Sequence, residues 1–274
     1  MNLEGLDSIR DVGSFRSFVY AYASQNPRSY PWRETSDPWE ILVSEVMLQQ
    51  TQTGRVASKF PSFIARFPIP LALADSSVEE LLGFWKGLGY NRRGLNLKRC
   101  AERIVGYHGG RVPSDQQALE ALPGIGPYTA SAIRAFAFSE PVVLIETNIR
   151  RLFLYVFFKG RDDVHDREVL VRIEETLDRD DPKAWYSALM DLGSDLSRYV
   201  ENPNRRSRHY TKQSRFEGSN RQIRGRILEA LLTGPKERRE IDALPFDRKR
   251  IAAQLEALGR EGFIEEQDGV WKLR

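Results

Sequence analysis

The chain has 274 residues, of which 41% are hydrophobic, 11% aromatic and 29% charged, and its formal net charge is +3, a composition typical of a folded protein. Its single cysteine, Cys100, excludes a disulfide framework, a cysteine zinc site and a four-cysteine iron–sulfur cluster. No run approaches the roughly 18 apolar residues of a membrane-spanning helix, and the start, MNLEGLDSIRDVGSF, lacks the apolar core of a signal peptide, so we expect a cytoplasmic protein without membrane contacts.

The first half of the chain has the pattern of a series of helices. Apolar residues recur at helical spacing from Phe15 to Tyr22 and again from Ile41 to Leu48. Polar residues that favour helix starts then delimit three predicted helices. These helices cover residues 39–50, 78–86 and 115–121, with Asp37 before Pro38, Ser76 or Ser77, and Ser114 as their respective N-caps.

Residues 122–130, Leu-Pro-Gly-Ile-Gly-Pro-Tyr-Thr-Ala, lie between the helix over 115–121 and a predicted helix over 128–136. Gly124 and Gly126 let the main chain turn tightly and approach another backbone closely. The start of the following helix offers N–H groups and the positive end of a dipole, which suit a phosphate. Such a contact fixes the register of a nucleic acid without reading its bases. We therefore predict a DNA-binding helix-hairpin-helix, with a plain loop between helices as the alternative.

Two carboxylates stand beside apolar segments. Glu45 lies among apolar residues near the end of the helix over 39–50, and Glu146 follows the apolar run 142–145 and precedes a helix. Burial disfavours the charged form of a carboxyl, so Glu45 would have a raised pKa if it is buried. Cleavage of an N-glycosidic bond needs a proton for the leaving base and a negative charge near the sugar, and two acids can divide these tasks. The ordinary interpretation is a helix-surface acid for Glu45 and a helix cap or salt-bridge partner for Glu146.

Positive charge is concentrated in one stretch. Between Pro203 and Arg226, eight Lys or Arg residues stand against one acid, Glu217, a local excess of +7 in a chain whose net charge is +3. The stretch is either a phosphate-binding surface or a solvated basic linker, and charge alone does not decide between them.

The pattern changes after a break at residues 216–220. Three helices are predicted there, followed by two strands that meet at a tight turn, Asp268-Gly269. The helices cover 223–232, 238–244 and 247–258, and the strands cover 262–265 and 270–273. This order is typical of a small winged-helix domain, whose third helix, basic at 248–250, would lie in a DNA groove. Because the hairpin is acidic, a packing or protein-contact domain is the alternative.

Taken together, these segments resemble the helix-hairpin-helix DNA glycosylase superfamily, and within it the A/G-specific adenine glycosylase (MutY-like) branch. The resemblance spans about residues 15–195, and the segment 44–51, Ser-Glu-Val-Met-Leu-Gln-Gln-Thr, is highly specific for that branch. The other matching segments are Pro31-Trp32-Arg33, Gly87-Leu88-Gly89-Tyr90, Leu122 to Ala130 and Met190-Asp191-Leu192-Gly193. The resemblance implies a role in base excision DNA repair, with lesion-containing or mismatched double-stranded DNA as the partner.

The resemblance also implies an all-α fold of two helical lobes with DNA between them, followed in this chain by the small winged-helix-like domain. The implied domains are one lobe of residues 1–30 and 137–218, a six-helix barrel lobe of residues 31–136 with the helix-hairpin-helix at 115–136, and the winged-helix-like domain of residues 219–274. We expect a monomer that works in the cytoplasm at the bacterial nucleoid.

Positions that match the family's motifs acquire implied roles. Glu45 would be the general acid that protonates the extruded base, and Glu146 occupies the place of the second catalytic acid. Tyr128 and Asn148 would complete the catalytic set, and bifunctional relatives carry a Schiff-base lysine where Tyr128 stands, so hydrolysis without strand cleavage is implied. The residues implied in the base pocket or the wedge that fills the base stack are Arg33, Leu48, Gln50 and Tyr90. Those implied in DNA backbone binding are Leu122, Gly124, Ile125, Gly126, Thr129, Arg205, Arg206 and Arg208.

Three features depart from the family's pattern. The family's second acid is an aspartate, and the extra methylene of Glu146 moves the carboxylate by about 1 Å, a shift that can lower a rate about 100-fold. Most members bind a [4Fe-4S] cluster through four cysteines after the Met-x-Leu-Gly motif, whereas residues 197–215 contain none, so we expect neither cluster nor metal. The basic stretch occupies that place instead, which favours its phosphate-binding interpretation. Members that act opposite 8-oxoguanine usually carry a Nudix-related C-terminal domain, and residues 219–274 do not resemble one.

The resulting hypothesis is a monofunctional DNA glycosylase, a hydrolase of N-glycosyl bonds. It would flip a mispaired or damaged base, with adenine favoured, out of duplex DNA and hydrolyse its N-glycosidic bond. A glycosylase for uracil, mismatched thymine or an oxidised pyrimidine is the first alternative, because the mismatch-specific thymine branch also has a tyrosine at the hairpin. The alternative from another class is a DNA-binding protein that keeps the scaffold without catalysis.

Overall fold

The computed structural model of the protein describes residues 4–9, 11–212 and 215–274 and is mainly helical. The helices are α1 Glu4–Asp7, α2 Val12–Gln25, α3 Pro38–Leu48, α4 Thr53–Arg66, α5 Pro70–Ala74, α6 Val78–Trp85, α7 Arg92–His108, α8 Gln116–Glu120, α9 Pro127–Ala137, α10 Thr147–Phe157, α11 Asp166–Thr176, α12 Pro182–Leu196, α13 Asn220–Leu231, α14 Arg238–Asp242 and α15 Arg248–Glu261. The strands are β1 Lys236–Glu237, β2 Ile264–Gln267 and β3 Val270–Leu273. In the part of the chain that is described, no helix is both long and apolar enough to cross a membrane.

The chain divides into two compact units. Unit 1 comprises the described residues of Met1–Ile41, Ser114–Glu120 and Ile125–Lys212, and unit 2 comprises those of Leu42–Pro113, Ala121–Gly124 and Gln213–Arg274. The predicted winged-helix-like residues thus belong to the same compact unit as α4 to α7. The domain boundaries inferred from the sequence stay a prediction.

Unit 1 is built around α12, which packs against α2 and α10. Three aromatic side chains, one from each helix, are fully buried at this contact: Phe15, Phe153 and Trp185. The Phe15 ring meets Phe153 edge to face at a centroid distance of 5.4 Å and Trp185 at 6.0 Å. Such pairs add about 0.5–1.5 kcal/mol each beyond area burial. This packing supports α10, the helix that begins directly after Glu146.

The C-terminal segment is part of the core of unit 2. Ile227 of α13 and Ile251 of α15 are buried in one apolar cluster with Leu82 of α6 and Leu95 of α7. The three strands form an antiparallel sheet in the order β1-β3-β2. Three helices and this small sheet follow one another in the C-terminal segment, on a fold that is otherwise all-α. The winged-helix-like domain stays a prediction.

The helix starts agree in part with the sequence. The Asp37 carboxylate accepts the N–H of Trp39 at 2.8 Å, as its predicted capping role requires. Of the two candidate serines, Ser77 caps α6. The predicted cap Ser114 is wrong, because the carboxylate of the next residue, Asp115, accepts the N–H of Ala118 at 2.9 Å. A carboxylate is the stronger acceptor, and it moves the helix start by one residue.

Two details of the small sheet differ from the prediction. Strand β2 begins at Ile264 instead of residue 262, because Gly262 ends α15 in the left-handed conformation with φ +85°. Strand β1 was not predicted, since a two-residue segment carries no alternation of polar and apolar residues. The turn is as predicted, with Asp268 at φ +53° and Gly269 at φ +79°.

Candidate functional site

Glu45 lies on α3 inside an apolar environment. Glu45 is 7% exposed to solvent, and the next two residues in the chain, Val46 and Met47, are 3% and 0% exposed. Helix α3 begins after the Asp37 cap, and apolar residues surround Glu45 in the second half of the helix. The ordinary interpretation of Glu45 as a helix-surface acid is therefore wrong.

Two predicted wedge residues have unusual backbones. Helix α3 ends at Leu48, and Gln50 follows with φ +56°. Tyr90 has φ +47° and follows the glycine pair of the segment 87–89. Left-handed backbone at a residue other than glycine costs about 1–3 kcal/mol and is typical of functional sites. Both loops lie in unit 2. Such strained backbone persists only where other contacts hold it in place.

Arg93, at the start of α7, anchors both loops. Its guanidinium bonds to the end of α3 and to the glycine loop, at distances from 2.8 to 3.2 Å; the acceptors are the carbonyls of Val46, Met47, Leu88 and Gly89 and the hydroxyl of Thr51. It also stacks on the Tyr90 ring, 5.5 Å from the centroid. Burial lowers the pKa of Arg93 to about 10, which still leaves it charged at neutral pH. Arg93 is not predicted from the sequence, where its only signal is its position just after the Gly-Leu-Gly-Tyr segment.

The hairpin residues are arranged as tight backbone turns demand. Gly124 has φ +82°, and a Cβ there would lie 2.9 Å from Cβ of Asn96, so only glycine fits. Gly126 is the N-cap of α9, and the first hydrogen bond of that helix runs from the N–H of Ala130 to O of Gly126 at 2.9 Å. The other backbone-binding candidates of the hairpin are buried: Leu122, Ile125 and Thr129.

Tyr128 lies in the first turn of α9. Its side chain is partly buried and packs against the apolar core of unit 1. The position is thus held by packing, and the side chain there ends in a hydroxyl instead of an amine.

Glu146 caps α10. Its Oε1 accepts the N–H groups of Asn148 and Ile149, both at 2.7 Å. The helix-cap interpretation of Glu146 is therefore confirmed, and a capping role is compatible with a catalytic one because Oε2 points to a different partner. Burial raises the pKa of Glu146, and the two N–H donors and a nearby Arg151 oppose that rise. The longer side chain still reaches the N–H groups that a capping aspartate would bind.

Asn148 connects Glu146 to a partly buried arginine. Its Nδ2 donates to Glu146 Oε2 at 3.2 Å, and its Oδ1 accepts from Arg151 Nη1 at 2.7 Å. The same Arg151 nitrogen also donates to the carbonyl of Gly193 at 2.7 Å. A Cβ on Gly193 would lie 2.7 Å from the carbonyl carbon of Asn148 and closer still to its oxygen. The glycine of the Met-x-Leu-Gly segment thus lets α12 approach the start of α10.

Arg33 is held by the same segment of α12. Its guanidinium forms a bidentate pair with Asp191, at 2.7 and 2.8 Å. Arg28 pairs with Asp195 at 2.5 Å, and the hydroxyl of Tyr22 donates to that carboxylate as well. Asp191 and Asp195 were not predicted as site residues, although Asp191 lies in a motif that the sequence analysis matched. Their signal is two acids one helical turn apart on a mostly buried helix.

An arginine connects the segment that follows α12 to the end of α10. Arg206 donates to the carbonyls of Leu154 and Phe158, at the end of α10, both at 2.8 Å. Arginine suits this place because the last carbonyls of a helix have no partner within it. The neighbouring Arg205 and Arg208 are exposed and pair with Glu201 and Asp163. These contacts indicate a structural role for Arg206, whereas the phosphate-binding roles of Arg205 and Arg208 stay a prediction.

The residues present do not fit a [4Fe-4S] cluster. One cysteine cannot supply four thiolate ligands, and Cys100 is buried on α7. Among residues 4–9, 11–212 and 215–274, no three His, Cys, Asp or Glu side chains are grouped as metal ligands. His165 and His209 meet edge to face with ring centroids 4.6 Å apart.

Five of the predicted site residues thus fall into three local groups. Glu146 and Asn148 share one hydrogen-bonded network, and Arg33 belongs to an ion-pair cluster on α12. The loops of Gln50 and Tyr90 share the anchor Arg93.

The family comparison matches this sequence to one superfamily. Residues 43–193, more than half of the chain, match the model of the HhH-GPD superfamily of base excision DNA repair proteins. Adenine DNA glycosylase of Mycobacterium tuberculosis is 35% identical over 253 residues, which covers 82% of this chain and 81% of that protein. Thymine/uracil-DNA glycosylase of Pyrobaculum aerophilum is 35% identical over 164 residues, 58% of this chain and 71% of that one.

The fold comparison agrees. The solved structure of a thermostable thymine-DNA glycosylase aligns with a TM-score of 0.60 at 24% identity, over 67% of this chain and 86% of that chain. At this identity the likeness concerns the fold.

Proposed function

The chain belongs to the HhH-GPD superfamily of base excision DNA repair proteins, and we propose that within it the protein is a monofunctional DNA glycosylase with adenine as its favoured base. The observation that carries this proposal is the burial of Glu45, 7% exposed inside the segment Ser-Glu-Val-Met-Leu-Gln-Gln-Thr. Departure of a base needs a proton donor, and a carboxyl held within an apolar segment can serve as one.

In the proposed mechanism the two glutamates divide the reaction. Glu45 donates its proton to a ring nitrogen of the base, and the bond between that base and the sugar carbon breaks. The carboxylate of Glu146 stabilises the positive charge that develops on the sugar. Water then adds to the sugar carbon and releases one proton to the solvent, from which Glu45 takes up a proton again. Asn148 and Arg151 hold Glu146 in place through the hydrogen bonds on its Oε2 side.

Binding and base extrusion are assigned to the other candidates. The hairpin from Leu122 to Thr129, with Arg205 and Arg208, holds the DNA backbone, while Gln50 and Tyr90 fill the gap that the flipped nucleotide leaves. Arg33 and Leu48 are each assigned a role in binding the extruded base. Tyr128 lacks the amine that a Schiff base needs, so the enzyme leaves an abasic site and an intact strand. We propose that the protein does this as a monomer without metal or cluster.

A second candidate substrate is thymine or uracil in a mismatch with guanine. It is favoured by the thymine/uracil-DNA glycosylase at 35% identity, which matches this chain as closely in identity as the adenine glycosylase does.

The experiment that tests the function is a panel of duplexes, each with one lesion or mismatch. The protein is incubated with each duplex, and alkali then converts abasic sites into strand breaks. We expect breaks after alkali in the duplex with adenine opposite guanine or 8-oxoguanine, and none before alkali. Breaks only with uracil or thymine would select the second candidate, and binding without any break would show a protein that keeps only the scaffold.

A further inference from the structure

A groove in unit 2 joins the wedge loops to the C-terminal segment. Its volume is about 1050 Å³, and Gln50, Tyr90 and residues of α13 are among those that line it. All lining residues belong to the same compact unit. Neither the predicted catalytic residues nor the hairpin lines this groove.

The groove is strongly cationic. Seven arginine or lysine residues line it, against two glutamates. Glu261 pairs with Arg224 at 2.6 Å and with Arg92 at 3.3 Å, and Glu229 pairs with Arg226 at 3.0 Å. The acids are thus neutralised, and an excess of five positive charges remains for a polyanion.

Arg221 links α13 to the loop of Tyr90 within the groove. Its guanidinium donates to the hydroxyl of Tyr90 and lies 5.3 Å from the centroid of that ring. The first turn of α13 therefore contacts the loop that carries a predicted wedge residue.

Gly225 gives the groove open space along α13. It lies in the interior of the helix, where glycine costs about 0.5–1 kcal/mol relative to alanine. A Cβ there would meet no atom within 4 Å, so no packing within the protein requires the glycine. A glycine that faces open space lets another backbone approach closely. Phe216, 57% exposed, also lines the groove and offers a face on which a base can stack.

We propose that this groove binds the phosphodiester backbone of the substrate DNA beside Gln50 and Tyr90, with α13 as the contacting helix. This inference rests on the proposed function and extends the DNA-binding surface into the C-terminal segment. It assigns the contact to α13 instead of the basic start of α15. There, Arg250 donates to the carbonyl of Gly218 and to Asn220 Oδ1, both at 2.8 Å, and so fixes the start of α13.

The test labels an introduced cysteine and depends on the native cysteine being unreactive. Cys100 is buried, and burial raises the pKa of its thiol to about 12, so an alkylating probe will not label it. The Gly225→Cys variant of the full chain places one accessible thiol in the groove. The control is Gly106→Cys, since Gly106 is also a helix-interior glycine with open space but does not line the groove. Alkylation rates are measured with and without a lesion duplex.

Protection of the thiol is the expected result. At a free duplex concentration ten times the Kd, alkylation of Gly225→Cys falls about tenfold and that of Gly106→Cys is unchanged. Equal rates for Gly225→Cys with and without bound duplex would overturn the proposal. If that variant fails to fold, Arg226→Cys serves the same purpose on an exposed position of α13.

A salt titration gives an independent readout. Arg226→Gln should reduce the slope of log K against log salt by about 1 if Arg226 meets a phosphate, and Arg239→Gln, on α14, should leave it unchanged. An unchanged slope for both variants contradicts a phosphate contact by Arg226. Both tests measure binding, so they are independent of the excision assay. If duplex protects the thiol but no base is excised, the groove binds DNA and the proposed function is wrong. If a base is excised but the thiol is not protected, the proposed function stands and the groove does not bind DNA.

Discussion

The two glutamates at the centre of the proposed reaction occupy opposite kinds of environment. Glu45 sits on an apolar helix of unit 2, beside Val46 and Met47. Glu146 sits at a helix start in unit 1, where two N–H groups and Asn148 bind its oxygens. The donors at Glu146 favour its anion and oppose the burial that raises its pKa. The difference teaches that a glutamate at a helix start can bind backbone N–H groups, which the interior of a helix uses for its own hydrogen bonds.

Replacement of Glu45 is the strongest test of that difference. Glu45→Gln keeps the size of the side chain and removes the proton, so the rate of base excision should fall about 100- to 10,000-fold, measured in single turnover. Duplex binding and thermal stability should change little. An unchanged rate would refute the assignment of Glu45 as the general acid.

Gly193→Ala tests whether the Glu146 network needs its close helix contact. The added Cβ overlaps the Asn148 carbonyl, so the start of α10 must move, and a shift of about 1 Å can cost about 100-fold in rate. Gly83→Ala is the matched control, because Gly83 is also helical and a Cβ there meets nothing within 4 Å. Equal excision rates for the two variants would show that the close contact between Gly193 and Asn148 is not needed for catalysis.

The pH dependence sharpens the role of Glu146. Its pKa is raised by burial, so its anion is protonated at a higher pH than that of an ordinary glutamate. Because the anion is the proposed active form, the excision rate should fall as pH drops through that raised pKa. Glu146→Gln keeps an oxygen that can accept the capping N–H groups but loses the charge, so its lower rate should lack this acid limb. If the excision rate of the variant also falls at acid pH, that fall is due to a group other than Glu146.

The smallest expected effect concerns stability alone. Arg206→Met removes two hydrogen bonds from a charged donor to carbonyls at the end of α10 and should lower the free energy of unfolding by about 2–3 kcal/mol. Arg205→Met removes one exposed ion pair and should cost about 0.5 kcal/mol. Urea denaturation distinguishes them, and equal losses would mean that Arg206 is not a structural anchor.

Local chemistry explains which parts of the structure the sequence predicts. The Asp37 cap, the turn at Asp268-Gly269 and the tight turn at Gly124 each depend on a few adjacent residues, and all three occur as predicted. The cap of α8 was misplaced because two neighbouring residues, Ser114 and Asp115, compete for it. Periodicity placed two segments, Phe15 to Tyr22 and Ile41 to Leu48, which lie in α2 and α3.

Contacts between distant segments could not be predicted from the sequence. The guanidinium of Arg93 reaches carbonyls 46 and 47 residues earlier, and Arg33 pairs with Asp191 across 158 residues. No local pattern specifies such partners, because an arginine on a helix is usually solvated. The basic stretch is a further case: Arg206 bonds to α10 in unit 1, whereas Arg221 lines a groove in unit 2.

The Arg206 contact also bears on how this chain reaches its folded state. Its bonds to the Leu154 and Phe158 carbonyls are made entirely by the chain's own atoms. They can form as soon as synthesis has produced both segments, with no inserted prosthetic group and no delivery step. Oxidants and shortage of iron, two stresses that weaken closure through a cysteine-bound cluster, leave such hydrogen bonds intact.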